Sequence, residues 1–150
     1  MIGYPFAYAD LLKSVCDKAK NAFFHKDNGL FSMLEHGNEY TVLGNALAIL
    51  AGLTSQEEAK KICEKITEGA LSECSLSVRA FKYDALLATD EQGYKEWILS
   101  EIRRDYQTML DFGSTTVWET LDGAKAFQNA GSLCHGWSAL PVYYFQKLLN

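Results

Sequence analysis

Apolar residues return every three or four positions along most of the chain, and short polar stretches cut that rhythm into segments. The first, YADLLKSVCDKAKNAFF, carries Leu12, Val15, Cys16, Ala19, Ala22 and Phe23 on one side, the spacing of an amphipathic helix. HKDNGL stops it, with Asn28-Gly29 as turn chemistry. NEYTVLGNALAILAGL is apolar nearly all round, which predicts a helix buried on most sides. Its Gly44, Ala46, Ala48 and Ala51 suit close packing, and Gly52 signals its end.

TSQEEAKKICEKITEG opens with a capping-box pattern, Thr54 or Ser55 ahead of Glu57-Glu58, and closes at Gly69. Ile62 and Ile66 give it one narrow apolar stripe, so it reads as a surface helix. CSLSVRAFKYDALLATD is again largely apolar, with Phe81, Ala85 and Leu86 on one face. GYKEWILSEIRRDYQTMLDFG follows, with Trp97, Ile98, Ile102, Tyr106, Met109 and Leu110 opposed to charge. The last segment is GWSALPVYYFQKLLN, where Pro141 opens a helix or kinks one. Strand-type alternation is absent, and no repeat of solenoid length recurs. The order predicts one all-α domain over 1–150, made of antiparallel hairpins with buried and exposed partners alternating. That arrangement is two concentric layers of helices and not a simple bundle.

Composition narrows the class. The 150 residues suit a single domain with a real core, and 48% hydrophobic with 22% charged residues is a globular balance. A net charge of −5 without a Lys/Arg cluster argues against a nucleic-acid surface; Arg103-Arg104 sits in a mixed-charge helix and reads as a solvated face. Cys16, Cys63, Cys74 and Cys134 show no C-x-x-C spacing and no zinc pattern, so no metal cofactor is expected. The opening MIGYPFAYADLLKSVCDK has no basic start followed by an apolar core, and no apolar run is long enough to span a membrane. A soluble protein of a reducing compartment, the cytoplasm, is the expectation.

One stretch interrupts the helical rhythm. Ser114-Thr115-Thr116-Val117 is small and β-branched and delivers Trp118-Glu119; a Gly-punctuated loop then leads to Cys134-His135-Gly136-Trp137. Such a gathering of Glu, His and two Trp is either a core feature or one wall of a sugar site. Glu119 alone reads as a solvated or capping carboxylate, His135 as a structural histidine, and Trp118, Trp137 and Trp97 as core. His25, His36, Asn38 and Asp84 read as surface or structural residues, and neither Glu73 nor Asp122 has the setting of a catalytic acid.

Two blocks tip that balance. M-L-x-x-G-x-T-T-x-W-E over 109–119 and S-L-C-H-G-W-S-A-x-P over 132–141 resemble the end of a six-hairpin glycosidase domain, the bacterial α-L-rhamnosidases of glycoside hydrolase family 78. The similarity runs from about Leu34 to Asn150. It implies an (α/α)6 toroid, about three of whose hairpins are present, and an inverting hydrolysis of a terminal rhamnose or related sugar. It further implies Glu119 as the general base, with His135, Trp137 and the adjacent Trp118 in contact with substrate.

The resemblance also implies what is missing. The family's general acid lies upstream and has no counterpart here, whereas inversion needs two carboxyl groups roughly 6.5–9.5 Å apart. Three hairpins leave the inner layer open along two edges. A truncated catalytic domain, inactive or weakly active alone, or half of an intertwined homodimer, is therefore expected. The competing classes are a non-catalytic carbohydrate-binding domain and a plain helical interaction module.

Overall fold

The computed structural model describes residues 8–150; the reading of the opening residues rests largely on Met1–Ala7 and lies outside them. Six helices follow in order: α1 (Tyr8–Phe23), α2 (Val42–Leu50), α3 (Gln56–Thr67), α4 (Arg79–Asp111), the single turn α5 (Ala126–Asn129) and α6 (Leu140–Leu149). Their starts obey local chemistry. Thr41 accepts from the Gly44 N–H at the head of α2, and Ser55 with Glu58 forms a complete capping box on α3. Pro141 lies in the first turn of α6, where its missing N–H has no helical partner to lose. Gly52 and Gly69 end α2 and α3 with φ of +71° and +73°.

α4 is two helices joined without a loop. Asp90 leaves helical geometry (φ −158°, ψ 93°), and its Oδ1 accepts the Gly93 N–H at 3.0 Å to cap the second arm. The arms, 79–89 and 91–111, fold back on each other, so Arg79 meets Asp105, and Lys82 meets Glu101 at 2.9 Å. Lys82 also reaches Glu73 at 2.7 Å, and Arg104 closes the cluster through Asp105 at 2.7 Å. Arg79, Lys82, Glu101 and Asp105 are all at least 95% buried. Four charges out of water are tolerated only as mutual partners, because an unpaired one meets a desolvation penalty of several kcal/mol. Sequence patterning places none of them inside.

Around this hairpin the core assembles. Tyr83, Leu86, Ile98, Leu99 and Ile102 of α4 pack with Cys63 of α3 and with Tyr144 and Leu148 of α6. A second cluster joins Val42, Ala48, Ile62, Ile66 and Leu71 to Leu30 and Phe31. Each such Leu or Ile contributes about 1.5–3 kcal/mol by leaving water. Leu30 and Phe31 belong to a feature the sequence does not announce: Phe24–His25 (β1) pairs antiparallel with Leu30–Phe31 (β2). Two-residue strands are too short for alternation to show. Asn45, fully buried in apolar α2, holds the hairpin's edge: its Oδ1 accepts from Phe31 N at 2.9 Å and its Nδ2 donates to Phe31 O at 3.0 Å.

The layer reading stands, with corrections in detail. α2 is not buried on most sides: Leu47 and Leu50 are exposed. Leu110 lies outside the buried stripe of the second arm of α4. α1 is amphipathic but buries none of its residues; Leu11, Leu12 and Val15 face solvent. At the opposite end α6 leaves Val142, Tyr143 and Leu149 exposed. Exposed apolar residues thus lie on both the first and the last of the described helices.

The charge cluster predicts how the fold fails. Asp105→Ala strands the Arg79 guanidinium, and urea unfolding will show a loss of about 3–5 kcal/mol; a loss below about 1 kcal/mol contradicts a buried pair. Acid acts through Glu73. Burial works to raise its pKa, but the Lys82 ammonium and the Cys74 N–H outweigh it and hold the carboxyl below its ordinary 4.5. A folded-state pKa below the unfolded one gives stability that is present above pH 4.5 and lost as pH falls through the folded value. Glu73→Gln will flatten that acid limb in a pH series of thermal midpoints.

Candidate functional site

The segments leading into α2, α4 and α6 meet at one end of the molecule. Residues 40–42 pair with Ser72: Val42 N donates to Ser72 O at 2.9 Å, and Ser72 N donates to Tyr40 O at 3.0 Å. The turn Leu76–Val78 ahead of α4 lies against the turn Gly136–Ser138 ahead of α6. The interrupting stretch, 114–139, occupies this same end.

Its geometry starts from Trp118. The indole N–H donates to Ser114 Oγ at 2.9 Å, the ring meets Phe112 edge-on at 5.2 Å, and Leu76 and Met109 pack against it. Only 5% of the residue is exposed. Trp118 therefore offers no open face to a sugar, and the substrate contact implied for it gives way to a buttress role. Val117 packs against the same cluster as Trp118, and Glu119 is half-buried at its edge.

A second segment runs beside this one. Glu119 N donates to Ser132 O at 2.9 Å, and His135 N donates to Val117 O at 2.8 Å. The Glu119 carboxylate accepts the Ser132 N–H through Oε2 at 3.3 Å. No hydrogen bond reaches Oε1 from the described residues, so one oxygen is anchored and the other is open. His135 lies on the paired segment, half-buried, with no side-chain hydrogen bond among the described residues. Its ring sits 6.5 Å from that of Trp137, which is 80% exposed on the rim. Glu119, His135 and Trp137 thus share one ledge, as the sequence suggests.

The loop between the paired segments is tightly folded. Gly123 lies under Trp118, where a Cβ would come within 3.0 Å of the ring, and a Cβ on Gly131 would fall 2.0 Å from Gly123 O. Ala130 N and Gly131 N both donate to Ala126 O. This enclosure forces Phe127, Gln128 and Asn129 into left-handed geometry at φ 51°, 61° and 70°. A left-handed turn costs roughly 1–2 kcal/mol per residue. Gly123 and Gly131, which punctuate the loop between the two motif blocks, were the only hint of it in the sequence.

Other candidates fall away. Glu73 stays ionised beside Lys82 and is no proton donor. The thiol of neighbouring Cys74 is pushed up to about 12 by burial and by that carboxylate, which leaves it neutral and unreactive. His25 bonds Ser32 at 3.1 Å, His36 is exposed beside Glu35, and Asp84 accepts from Tyr144 and Lys147. Among the described residues no group of His, Cys, Asp and Glu is placed to hold a metal, and no helix is long and apolar enough to cross a membrane.

Comparison with known proteins now bears on this ledge. Residues 5–149 match the family model of the bacterial alpha-L-rhamnosidase 6 hairpin glycosidase domain. Among solved structures, the chain superposes on a rhamnosidase from Klebsiella oxytoca with rhamnose bound, with a TM-score of 0.75 and 19% identity over 94% of this chain and 28% of that one. It also superposes on a glycoside hydrolase family 78 rhamnosidase of Bacillus sp. GL1, with a TM-score of 0.77 and 24% identity over 93% of this chain and 16% of that one. No curated protein matches the chain. It spans well under a third of either structural relative. Helices, layers and family model agree: the chain belongs to the bacterial α-L-rhamnosidase six-hairpin glycosidase domain family and carries part of that all-α toroid.

Proposed function

We propose that the chain supplies the base half of an inverting glycosidase site that removes a terminal rhamnose or closely related sugar. The observation that carries the reading is the Glu119 carboxylate, anchored at one oxygen by the Ser132 N–H and open at the other. Glu119 takes a proton from a water as that water's oxygen bonds to the anomeric carbon. The glycosidic C–O bond breaks on the opposite face, and an acid from outside this chain protonates the leaving oxygen. His135, whose ring makes no hydrogen bond among the described residues, is suited to sugar hydroxyls, and the exposed face of Trp137 is suited to pyranose C–H groups. Trp118 fixes Glu119 from beneath without touching substrate.

One carboxylate does not complete this chemistry, so the isolated chain is inactive or weakly active. Its apolar edges on α1 and α6 call for a second three-hairpin unit, and in isolation a second copy is the unit at hand. Light scattering will then give twice the chain mass of 16.8 kDa; a monodisperse, non-aggregating species at the single-chain mass rules out the closed pair.

With the ring completed by the remaining hairpins supplied in trans, Glu119→Gln will lower kcat toward an aryl α-L-rhamnoside by about 10²–10⁴-fold. Sugar binding will change little. Turnover within a few-fold of the unaltered protein would remove Glu119 from the base role, and lost sugar binding with no effect on a measurable kcat would favour a binding domain.

A further inference from the structure

The hydrogen bonds that tie the two segments of the ledge do not keep step. Glu119 N donates to Ser132 O, and His135 N donates to Val117 O. Between those bonds the first segment advances two residues, from Val117 to Glu119, and the second advances three, from Ser132 to His135. The second segment thus carries one residue more than its partner. That is the count of a β-bulge, a device that bends a strand and re-aims a side chain beside a site.

The extra length falls at Leu133 and Cys134. Leu133 is committed inward: it packs on the Trp118 cluster, and its carbonyl accepts from the Thr116 hydroxyl. Cys134 is exposed, and among the described residues no backbone group of 114–119 bonds its main chain. Both of its main-chain groups turn to Ser132 instead. Cys134 N donates to Ser132 Oγ at 3.2 Å, and that hydroxyl donates to Cys134 O at 3.0 Å. On an exposed residue water satisfies such groups equally well, so the hydroxyl does not rescue a buried donor. What it adds is a fixed path from Ser132 to His135. The N–H of the same serine anchors the Glu119 carboxylate. One residue is therefore bonded to the base and sets the approach of the histidine.

Resting on the reading of Glu119 and His135 as parts of a sugar site, we propose that Ser132 is a positioning residue of that site. Its hydroxyl closes the bulge and so fixes where the His135 ring stands relative to the Glu119 carboxylate. It touches neither the sugar nor the attacking water.

The test is an NMR titration of L-rhamnose into the full chain, into Ser132→Ala and into Ser132→Thr, with thermal midpoints measured alongside. Ser132→Ala is expected to weaken rhamnose binding about threefold to tenfold, the range that one lost hydrogen bond spans, and to leave the midpoint little changed. At saturation the sugar-induced shift of the His135 ring signals shrinks, while that of the Trp137 indole persists. Ser132→Thr keeps the hydroxyl and restores both the affinity and the His135 shift. An affinity and a His135 shift that Ser132→Ala leaves untouched overturn the proposal. A loss that Ser132→Thr does not restore overturns it as well. A midpoint that falls together with the affinity, with His135 and Trp137 affected alike, shows the bracket to be structural and overturns the positioning role. Absence of saturable binding by the unaltered chain overturns the sugar-site reading itself, and this role with it.

Discussion

Everything in this molecule leans on the reversal at Asp90 and on the charges that fix how its two arms meet. α2, α3 and α6 all pack on α4, so the relative position of three hairpins is set by one register. Arg79 against Asp105 and Lys82 against Glu101 admit that register alone. A slide by one turn leaves four buried charges without partners, at a cost far above what any exchange of Leu for Ile contacts returns. Apolar packing supplies the stability, and the ion cluster supplies the uniqueness. Because Lys82 also holds Glu73, the register is passed to the segment that enters α4, and from Leu76 to the underside of Trp118.

That path explains why the ledge is built as it is. A short extended run has no helical hydrogen bonds to stiffen it, so Trp118 is driven into the core and pinned by Ser114, and the neighbouring segment is laced to it through Glu119 and His135. The ledge residues Glu119 and His135 are then held by buried neighbours. The strain at Phe127–Asn129 belongs to the same economy: the glycines that let the loop lie flat on Trp118 also force its tip into an unfavourable conformation.

Much of this was legible in the sequence, for a physical reason. The 3.6-residue period survives in amphipathic helices, so α1, α2, α3, both arms of α4 and α6 could be read directly, as could a cap at Thr54 or Ser55 and the stops at Gly52 and Gly69, whereas the single turn α5 fell in a stretch read as loop. The sequence also singled out Glu119, His135 and Trp137, which do share one ledge. What it hid was whatever breaks the inside-outside rule. Lys82 and Glu101 look like surface charges, Asn45 looks like a flaw in an apolar helix, and Leu110 and Leu47 look like core. For Trp118 the residue reading, core, matches its burial against Leu76 and Met109, and it was the resemblance alone that implied a substrate contact. The β1–β2 pair was too short to leave a period.

The central claim is that the ledge between 117–119 and 132–137 is where this chain meets a sugar. It is tested most directly by titrating L-rhamnose into isotopically labelled chain and following the backbone amide signals. The account predicts saturable shifts concentrated at Glu119, Ser132 and His135 and extending to the Trp137 indole. Shifts that fail to saturate, or that gather on the open faces of α1 and α6 instead, would contradict it.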